Sequence, residues 1–227
     1  TAMGSTTLAS GLYSTAMGVS TSASGTASTA MGATANASGN RATAMGINTS
    51  ASGATSTAMG GSTTASGAVS TAMGLNTTAQ AYVSVVLGQY NVISGDTTSW
   101  VGTDPLFVIG NGASAASPSN AMTVLKNGNV GIGTATPTSR LHVLATEGDA
   151  PPGVFLQNTD ITANGGPDGI FGLRNNSASG TREITFGGPG LGTVTMTVDA
   201  QNAKVGIGTG DPNYKLDIQG GDLNVSN

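Results

Sequence analysis

A methionine followed by glycine returns at every fourteenth position through the first third of the chain, at Met3, Met17, Met31, Met45, Met59 and Met73. A fixed period of this kind marks a stacked, quasi-one-dimensional architecture and takes precedence over local propensity. Glycine itself recurs at every seventh position from Gly4 to Gly74; Ala81 breaks the column, and Gly88, Gly95 and Gly102 restore it. The unit is therefore two seven-residue halves, Ser-Thr-Ala-Met-Gly-x-x and a looser Ser-x-Ala-Ser-Gly-x-x.

The most variable positions follow directly after glycine, as in the column Ser5, Val19, Ala33, Ile47, Gly61 and Leu75. Variability beside a constant glycine reads as a turn, so each half is expected to be a strand of about four residues plus a turn. Stacked coils would then pair parallel strands about 4.8 Å apart. Alternation along a strand separates its two faces. Alanine stands two before glycine in both halves (Ala2, Ala16, Ala30, Ala44, Ala58, Ala72; Ala9, Ala23, Ala37, Ala51, Ala65). Only so small a side chain fits between two tightly folded sheets, which places the alanines inside. The methionines then point outward from one half, and Ser10, Ser24, Ser38, Ser52 and Ser66 from the other. The opposite facing, with methionine inside and alanine out, is the alternative. An outward methionine stripe is an apolar patch that a lone coil should not expose, and self-association about an axis would bury it.

Composition agrees with a coil rather than a globule. Of 227 residues 36 are glycine, 4% are aromatic and 8% charged, too few large side chains for one ordinary core. So little charge also argues against plain disorder. A net charge of -4 offers nucleic acid no basic patch, and the absence of cysteine removes disulfides and thiolate metal sites. No apolar run of about 18 residues exists to span a membrane. There is no signal peptide, and Thr1-Ala2-Met3-Gly4 already lies inside a repeat, so the chain is expected to be a piece of a longer one.

The repeat Ser-x-Ala-x-Gly-x-x-Ser-x-Ala-x-Gly resembles the head repeat of the YadA-like trimeric autotransporter adhesins, which also occurs in some phage tail fibres. The resemblance covers residues 1 to about 95. It implies a left-handed parallel β-roll, assembled as a homotrimer into an extended rod. Methionine stands where those heads often carry isoleucine or valine, which softens the interface but keeps it apolar.

Beyond the strict repeats, Ser84-Val85-Val86-Leu87-Gly88 keeps the register with larger residues, Leu87 standing where Met73 stood. The glycine step from Gly102 to Gly110 is eight, which ends the strict coil. Trp100 and Phe107 could form a ligand platform, but aromatics here more often cap the end of a thin core. Met122 to Gly133 reads as a hairpin around Asn127-Gly128. Its Val130-Gly131-Ile132-Gly133-Thr134, Pro137 and Leu141-His142-Val143 return with the same internal spacing as Val205-Gly206-Ile207-Gly208-Thr209, Pro212 and Leu216-Asp217-Ile218. This signature resembles the linker repeats of bacterial surface fibres and phage tail-fibre proteins, where a C-terminal chaperone domain, cleaved after assembly, often follows. The expected fold class is all-β: a homotrimeric left-handed parallel β-roll of 14-residue coils followed by hairpin-rich fibre modules. Residues 1–95 would form the roll, 96–145 a transition and first hairpin module, 146–195 a β-rich insert with exposed loops, and 196–227 the second module.

Few residues offer chemistry. Gly131-Ile132-Gly133 and the run Gly187 to Gly192 lack the following helix and lysine of a phosphate loop. His142 is the single histidine, and it sits at an alternating strand position, so a catalytic triad has little support. The acidic residues, Glu147, Asp149, Asp160, Asp168, Asp211, Asp217 and Asp222 among them, match no calcium loop; the loop near Asp168 is the one place for a stray metal. No cofactor, metal or catalytic residue is assigned. Residues 1–95 carry one charged side chain, Arg41, so that surface reads as a solvated hydroxyl face.

The sequence thus points to a structural and adhesive segment of an extracellular homotrimeric fibre, on a cell surface or a virion tail, with no catalysis. The trimer interface would be Met3, Met17, Met31, Met45, Met59, Met73 and Leu87. Loops around Asn164, Asp168, Asn175 and Asn176 would meet a host glycan or protein receptor, since binding favours loops on rigid scaffolds. Three alternatives stand. Unpaired roll ends could stack into filaments. A threonine column (Thr1, Thr15, Thr29, Thr43, Thr57, Thr71) could bind ice, although its neighbour on the same face is methionine. A fibre-borne depolymerase would need paired carboxylates, which no repeat supplies.

Overall fold

The computed structural model describes residues 1–144, 153–156, 171–176, 181–186, 196–199, 202–209 and 212–220. Among them every regular element is a strand. The chain divides into two compact units, Thr1–Leu144 and Ala145–Asn227.

The first unit begins as a parallel β-solenoid of 14-residue coils. Each coil contributes a long strand, such as Thr15–Val19, Thr29–Ala33 or Thr43–Ile47, and a two-residue strand, such as Ser22–Ala23 or Ser50–Ala51. The halves are therefore unequal, rather than two strands of similar length. Long strands stack in strict register, Met17 on Met31 and Met31 on Met45, and so do the short ones, Ala37 on Ala51.

The alanines face inward, except that in the first coil, which has no coil before it, Ala2 is exposed and Ala9 only partly buried. Ala16, Ala30, Ala44, Ala58 and Ala72 of the long strands and Ala23, Ala37, Ala51, Ala65 and Ala79 of the short ones are fully buried. The core is wider than alanine alone. Two residues earlier in each alternation, Ser14, Ser28, Ser56, Ser70 and Ser84 and the column Thr21, Thr49, Thr63 and Thr77 are buried too, with Ala42 and Ala35 taking their places in one coil. Ser70 Oγ donates to Ala79 O at 3.1 Å and Ser84 Oγ to Ala81 O at 2.7 Å. The hydroxyls of Ser14, Thr21, Ser28, Thr49, Ser56, Thr63 and Thr77 have no partner among the described residues. Burying an alanine methyl gains roughly 0.8 kcal/mol, while an unpartnered buried hydroxyl costs about 1–3 kcal/mol. The interior is thus a weak source of stability, and the backbone ladders carry much of the fold.

The glycines act otherwise than a simple turn role predicts. Gly46 lies inside the long strand Thr43–Ile47 with φ 124°, and a Cβ there would overlap the carbonyl oxygen of Gly60 in the next coil. Glycine is required because successive backbones touch. The left-handed corner falls two residues later, on Ser20, Thr34, Asn48, Ser62, Asn76 and Tyr90, and in the other half on Ala27, Arg41, Thr55, Val69 and Val83. Even β-branched residues accept this strained region, since each corner N–H is held by the coil before it: Val69 N donates to Ala54 O at 2.7 Å and Asn48 N to Ala33 O at 2.9 Å.

The coil ends by enlargement. Val85–Gln89 continues the long-strand column, and the next parallel strand, Pro105–Asn111, pairs Val86 with Val108 and Gly88 with Gly110. Through this 22-residue step Gly110 succeeds Gly88, so Gly102 does not continue the long-strand glycine column as the sevenfold spacing had it, while Gly95 packs against Ala81. The inserted segment caps the short sheet, which stops at Thr78–Ala79. Asn91, in the column of Thr77, lays its side-chain amide on that edge: Oδ1 accepts from Thr78 N at 2.8 Å and Nδ2 donates to Thr78 O at 3.0 Å. Trp100 and Phe107 do not plug the core. Val86, Val108 and Leu125 are buried there instead, while Trp100 is exposed and Phe107 lies on the outer face opposite Val85.

Three more strands extend the same sheet. Asn120–Leu125 runs antiparallel to Pro105–Asn111, Val130–Ile132 runs antiparallel to Asn120–Leu125 across the Asn127-Gly128 turn, and Leu141–Val143 lies parallel to Val130–Ile132. Gly131 leaves room for the Thr134 carbonyl and side chain and for Pro137, and Gly133 at φ 72° for the Leu144 carbonyl.

The second unit contains the same device. Met196–Asp199 pairs antiparallel with Lys204–Ile207, and Leu216–Ile218 lies parallel to it, matching Val205 with Leu216 as Val130 matches Leu141. The interval from Met122 to Met196 is one residue shorter than that from Gly131 to Gly206. The extra residue lies in the turn, where Ala203 takes a left-handed φ of 53°. Gly206 meets Thr209 and Pro212 as Gly131 meets Thr134 and Pro137. Strands Gly153–Leu156, Phe171–Asn176 and Thr181–Phe186 complete an antiparallel run beside Met196–Asp199.

Candidate self-association face

Alternation puts the methionines on the outer face of the long-strand sheet. Met3 and Met73 are exposed, at 59% and 38%, and Met17, Met31, Met45 and Met59 are half-buried by their neighbours in the column. The register carries the column onward from Met73 to Leu87, Leu87 to Ile109, Ile109 to Met122, Met122 to Ile132 and Ile132 to Val143. One apolar residue from each strand of the 11-stranded sheet therefore lies in a single line across it.

A second outer column runs two residues earlier. It is threonine along the coils (Thr15, Thr29, Thr43, Thr57, Thr71) and then turns apolar: Thr71 pairs with Val85, Val85 with Phe107, Phe107 with Val124, Val124 with Val130 and Val130 with Leu141. The apolar face is one residue wide along the coils and two wide across the cap. The sequence repeat identified Met3 to Leu87 but not Ile109, Met122, Ile132 and Val143. The 22-residue step and the strand reversals hide them from any fixed period; the alternation within each strand was the available signal.

In the second unit apolar residues also stand in register, Val154 with Leu173, Leu173 with Ile184, Ile184 with Met196 and Ile207 with Ile218. Asn175 and Asn176 end the strand Phe171–Asn176, paired with Arg182 and Thr181, rather than lying in a loop. Asn164, Asp168 and the glycine run Gly187 to Gly192 lie outside the described residues.

Charge is confined to a few places among the described residues. Lys126 Nζ lies 3.7 Å from Asp104 Oδ2, with the Trp100 and Tyr82 ring centroids at 5.2 and 5.9 Å. That ammonium is buried and makes no hydrogen bond to a described residue, so the ring faces and the carboxylate together replace its water. Asp96 Oδ1 accepts from Thr98 N at 2.8 Å and Ser99 N at 2.6 Å. These bonds, Thr98's foremost, hold its carboxyl below the usual carboxylate range. His142 serves the loop before it: its Nδ1 accepts from Thr138 N at 3.4 Å. Asp217, at the corresponding position of the second signature, accepts from Asn213 N at 2.8 Å. The histidine therefore occupies a loop-bracing position that a carboxylate fills in the other copy.

A stacked parallel roll with a continuous outer apolar line is the architecture of a β-solenoid repeat. The family model of the YadA head domain repeat, two copies long, matches residues 1–21, 23–49 and 51–77. The coils of residues 1–77 are thus similar to YadA head repeats. Comparison with curated proteins returned no match.

Proposed function

We propose that the chain is a non-catalytic segment of an extracellular homotrimeric fibre that attaches its bearer, a cell or a virion, to a host surface. The observation that carries this reading is the unbroken apolar line from Met3 to Val143 on the outer face of one sheet. A methionine or leucine fully removed from water gains about 1.5–3 kcal/mol. These side chains are already half covered, yet eleven of them together gain about as much as the alanine interior supplies. Three copies around an axis would cover the line along its whole length without leaving an open edge. Receptor contact is assigned to the segment 146–195, which includes Asn164, Asp168, Asn175 and Asn176.

Two observations weigh against the rival readings. The Asn91 amide occupies the Thr78 edge that end-to-end stacking would need. The Thr15–Thr71 column shares its face with methionine, so no regular threonine array meets ice. Light scattering on the purified chain tests the proposal. A mass near three times 22.0 kDa is expected, falling to a single chain in Met45→Asp with β-sheet circular dichroism retained. A monomeric wild-type chain would overturn it.

A further inference from the structure

A cavity of about 450 Å³ opens where the last regular coils meet the cap. One wall is made of stacked coil corners, Ser62, Asn76 and Tyr90, at the same position of successive coils. The other is made of the cap residues Val92, Ile93 and Pro118. All six come from the first unit, and none belongs to either column of the apolar face.

Both walls are preformed. Ser62 N and Asn76 N each donate 2.8 Å bonds to the carbonyls of Ile47 and Gly61 in the preceding coil. On the cap side Val92 N donates to Asn120 Oδ1 at 2.9 Å and Ser119 N to Tyr90 O at 3.1 Å. The polar groups differ in what they have left to offer. The neighbouring Asn91 amide is committed to Thr78 and Val92, whereas the Asn76 amide and Ser62 hydroxyl bond no other described residue. No carboxylate, ammonium or guanidinium lines the space, which disfavours a charged ligand. An aromatic residue and aliphatic residues line the space together with uncommitted amide and hydroxyl groups. This lining suits a neutral ring with an apolar face and hydroxyl edges. The volume lies toward the lower end of the roughly 300–1,000 Å³ usual for small-molecule sites.

We propose that this cavity binds a neutral sugar ring, with the ring's C–H face on Tyr90 and its hydroxyls on Asn76 and Ser62. The proposal rests on the surface-attachment reading above, for which it names a ligand class, but it needs only one chain. The cap aliphatics Val92, Ile93 and Pro118 would exclude water from the far side of the ring.

Saturation-transfer NMR on the full chain, with methyl glycosides of neutral hexoses and N-acetylhexosamines beside glucuronate and sialic acid, tests it. At least one neutral glycoside should receive transfer. Asn76→Ala should weaken its binding several-fold and Tyr90→Ala at least tenfold, while Tyr90→Phe keeps the stacking and most of the affinity. Tyr90→Ala is informative only alongside an unchanged thermal melt, and Asn76→Ala, a corner side chain with no internal bond, supplies the second readout. No transfer to any neutral glycoside, transfer to the acidic sugars alone, or affinity unchanged in both variants overturns the proposal. Met45→Asp separates the two readings. A trimer without sugar binding removes the cavity proposal alone, and a monomeric wild-type chain that binds sugar removes the trimer alone.

Discussion

The Asn91 side chain pairs with the Thr78 backbone as a strand would, accepting from its N–H at 2.8 Å and donating to its carbonyl at 3.0 Å. An edge of a β-solenoid presents unpaired donors and acceptors that invite another chain. One amide, placed where the preceding coils carry buried threonine, closes it. Asn91 is itself buried and its Nδ2 also reaches Val92 O, so the cap loop and the coil end share one residue.

Asn91→Ala should therefore leave Thr78's groups unmet inside the cap. A loss of about 1–3 kcal/mol is expected, read by urea denaturation, together with a rise in larger assemblies by sedimentation as the edge opens. Unchanged stability would mean that water replaces the amide without cost.

Glycine positions separate backbone contact from mere preference. Gly46→Ala puts a methyl on the Gly60 carbonyl oxygen at a φ of 124°, so the coil must break or shift there. Gly61→Ala meets only Leu75 Cδ1 at 3.1 Å, and alanine already stands at the equivalent Ala33. Thermal melts should show Gly46→Ala losing at least about 3 kcal/mol and Gly61→Ala staying within about 0.5 kcal/mol of wild type. Equal effects of the two would refute the contact argument.

The Lys126 site predicts coupling. Lys126→Met removes the cation between the Trp100 and Tyr82 rings and leaves Asp104 without its ion partner. A destabilisation of about 1–3 kcal/mol is expected. Adding Asp104→Asn should then cost less than Asp104→Asn does in the wild-type background. Additive losses in the double-mutant cycle would show that the two residues act independently.

Asp96 gives the cap an acid limit. Its folded pKa lies below the ordinary value because Thr98 N and then Ser99 N bond the carboxylate. Such a group contributes stability above the unfolded pKa, and that contribution is lost as pH falls through the folded pKa. Trp100 emission, reporting on the same loop, should shift at pH values below the usual carboxylate range. The step should vanish in Asp96→Asn; its persistence there would assign the titration to another carboxyl.

His142→Asp should be tolerated and His142→Leu should not. Aspartate at the corresponding Asp217 already braces the equivalent loop through Asn213 N. Proteolysis of the loop from Thr134 to Arg140 should stay slow in the aspartate variant and quicken in the leucine one. A faster cut in both would show that the imidazole itself is needed.

Much of the roll was legible from residues alone. A strict 14-residue repeat makes every coil solve the same problem, so alternation around Ala44 and Met45 settles one coil and thereby all of them. Alternation put alanine inside and left methionine outside. The same alternation reaches back to Ser14 and Thr21, whose burial the hydroxyls' polarity disguised. The glycines read as turn residues that supply backbone freedom, but what requires them is the carbonyl of the neighbouring coil.

Beyond Leu87 the path of the chain depended on tertiary structure. Nothing local distinguishes a 14-residue step from a 22-residue one; sheet pairing decided it by matching Gly88 with Gly110 and Val86 with Val108. Only that match, with the two strand reversals after it, aligns Ile109, Met122, Ile132 and Val143 with the methionine line. Likewise Ser62, Asn76 and Tyr90 are legible as one column of corners, but the cavity exists because the cap folds back over them. The periodic part is fixed by short-range geometry repeated in sequence. The cap is fixed by hydrogen bonds between residues far apart in sequence, such as Val92 N to Asn120 Oδ1 and Ser119 N to Tyr90 O, and no local pattern encodes these.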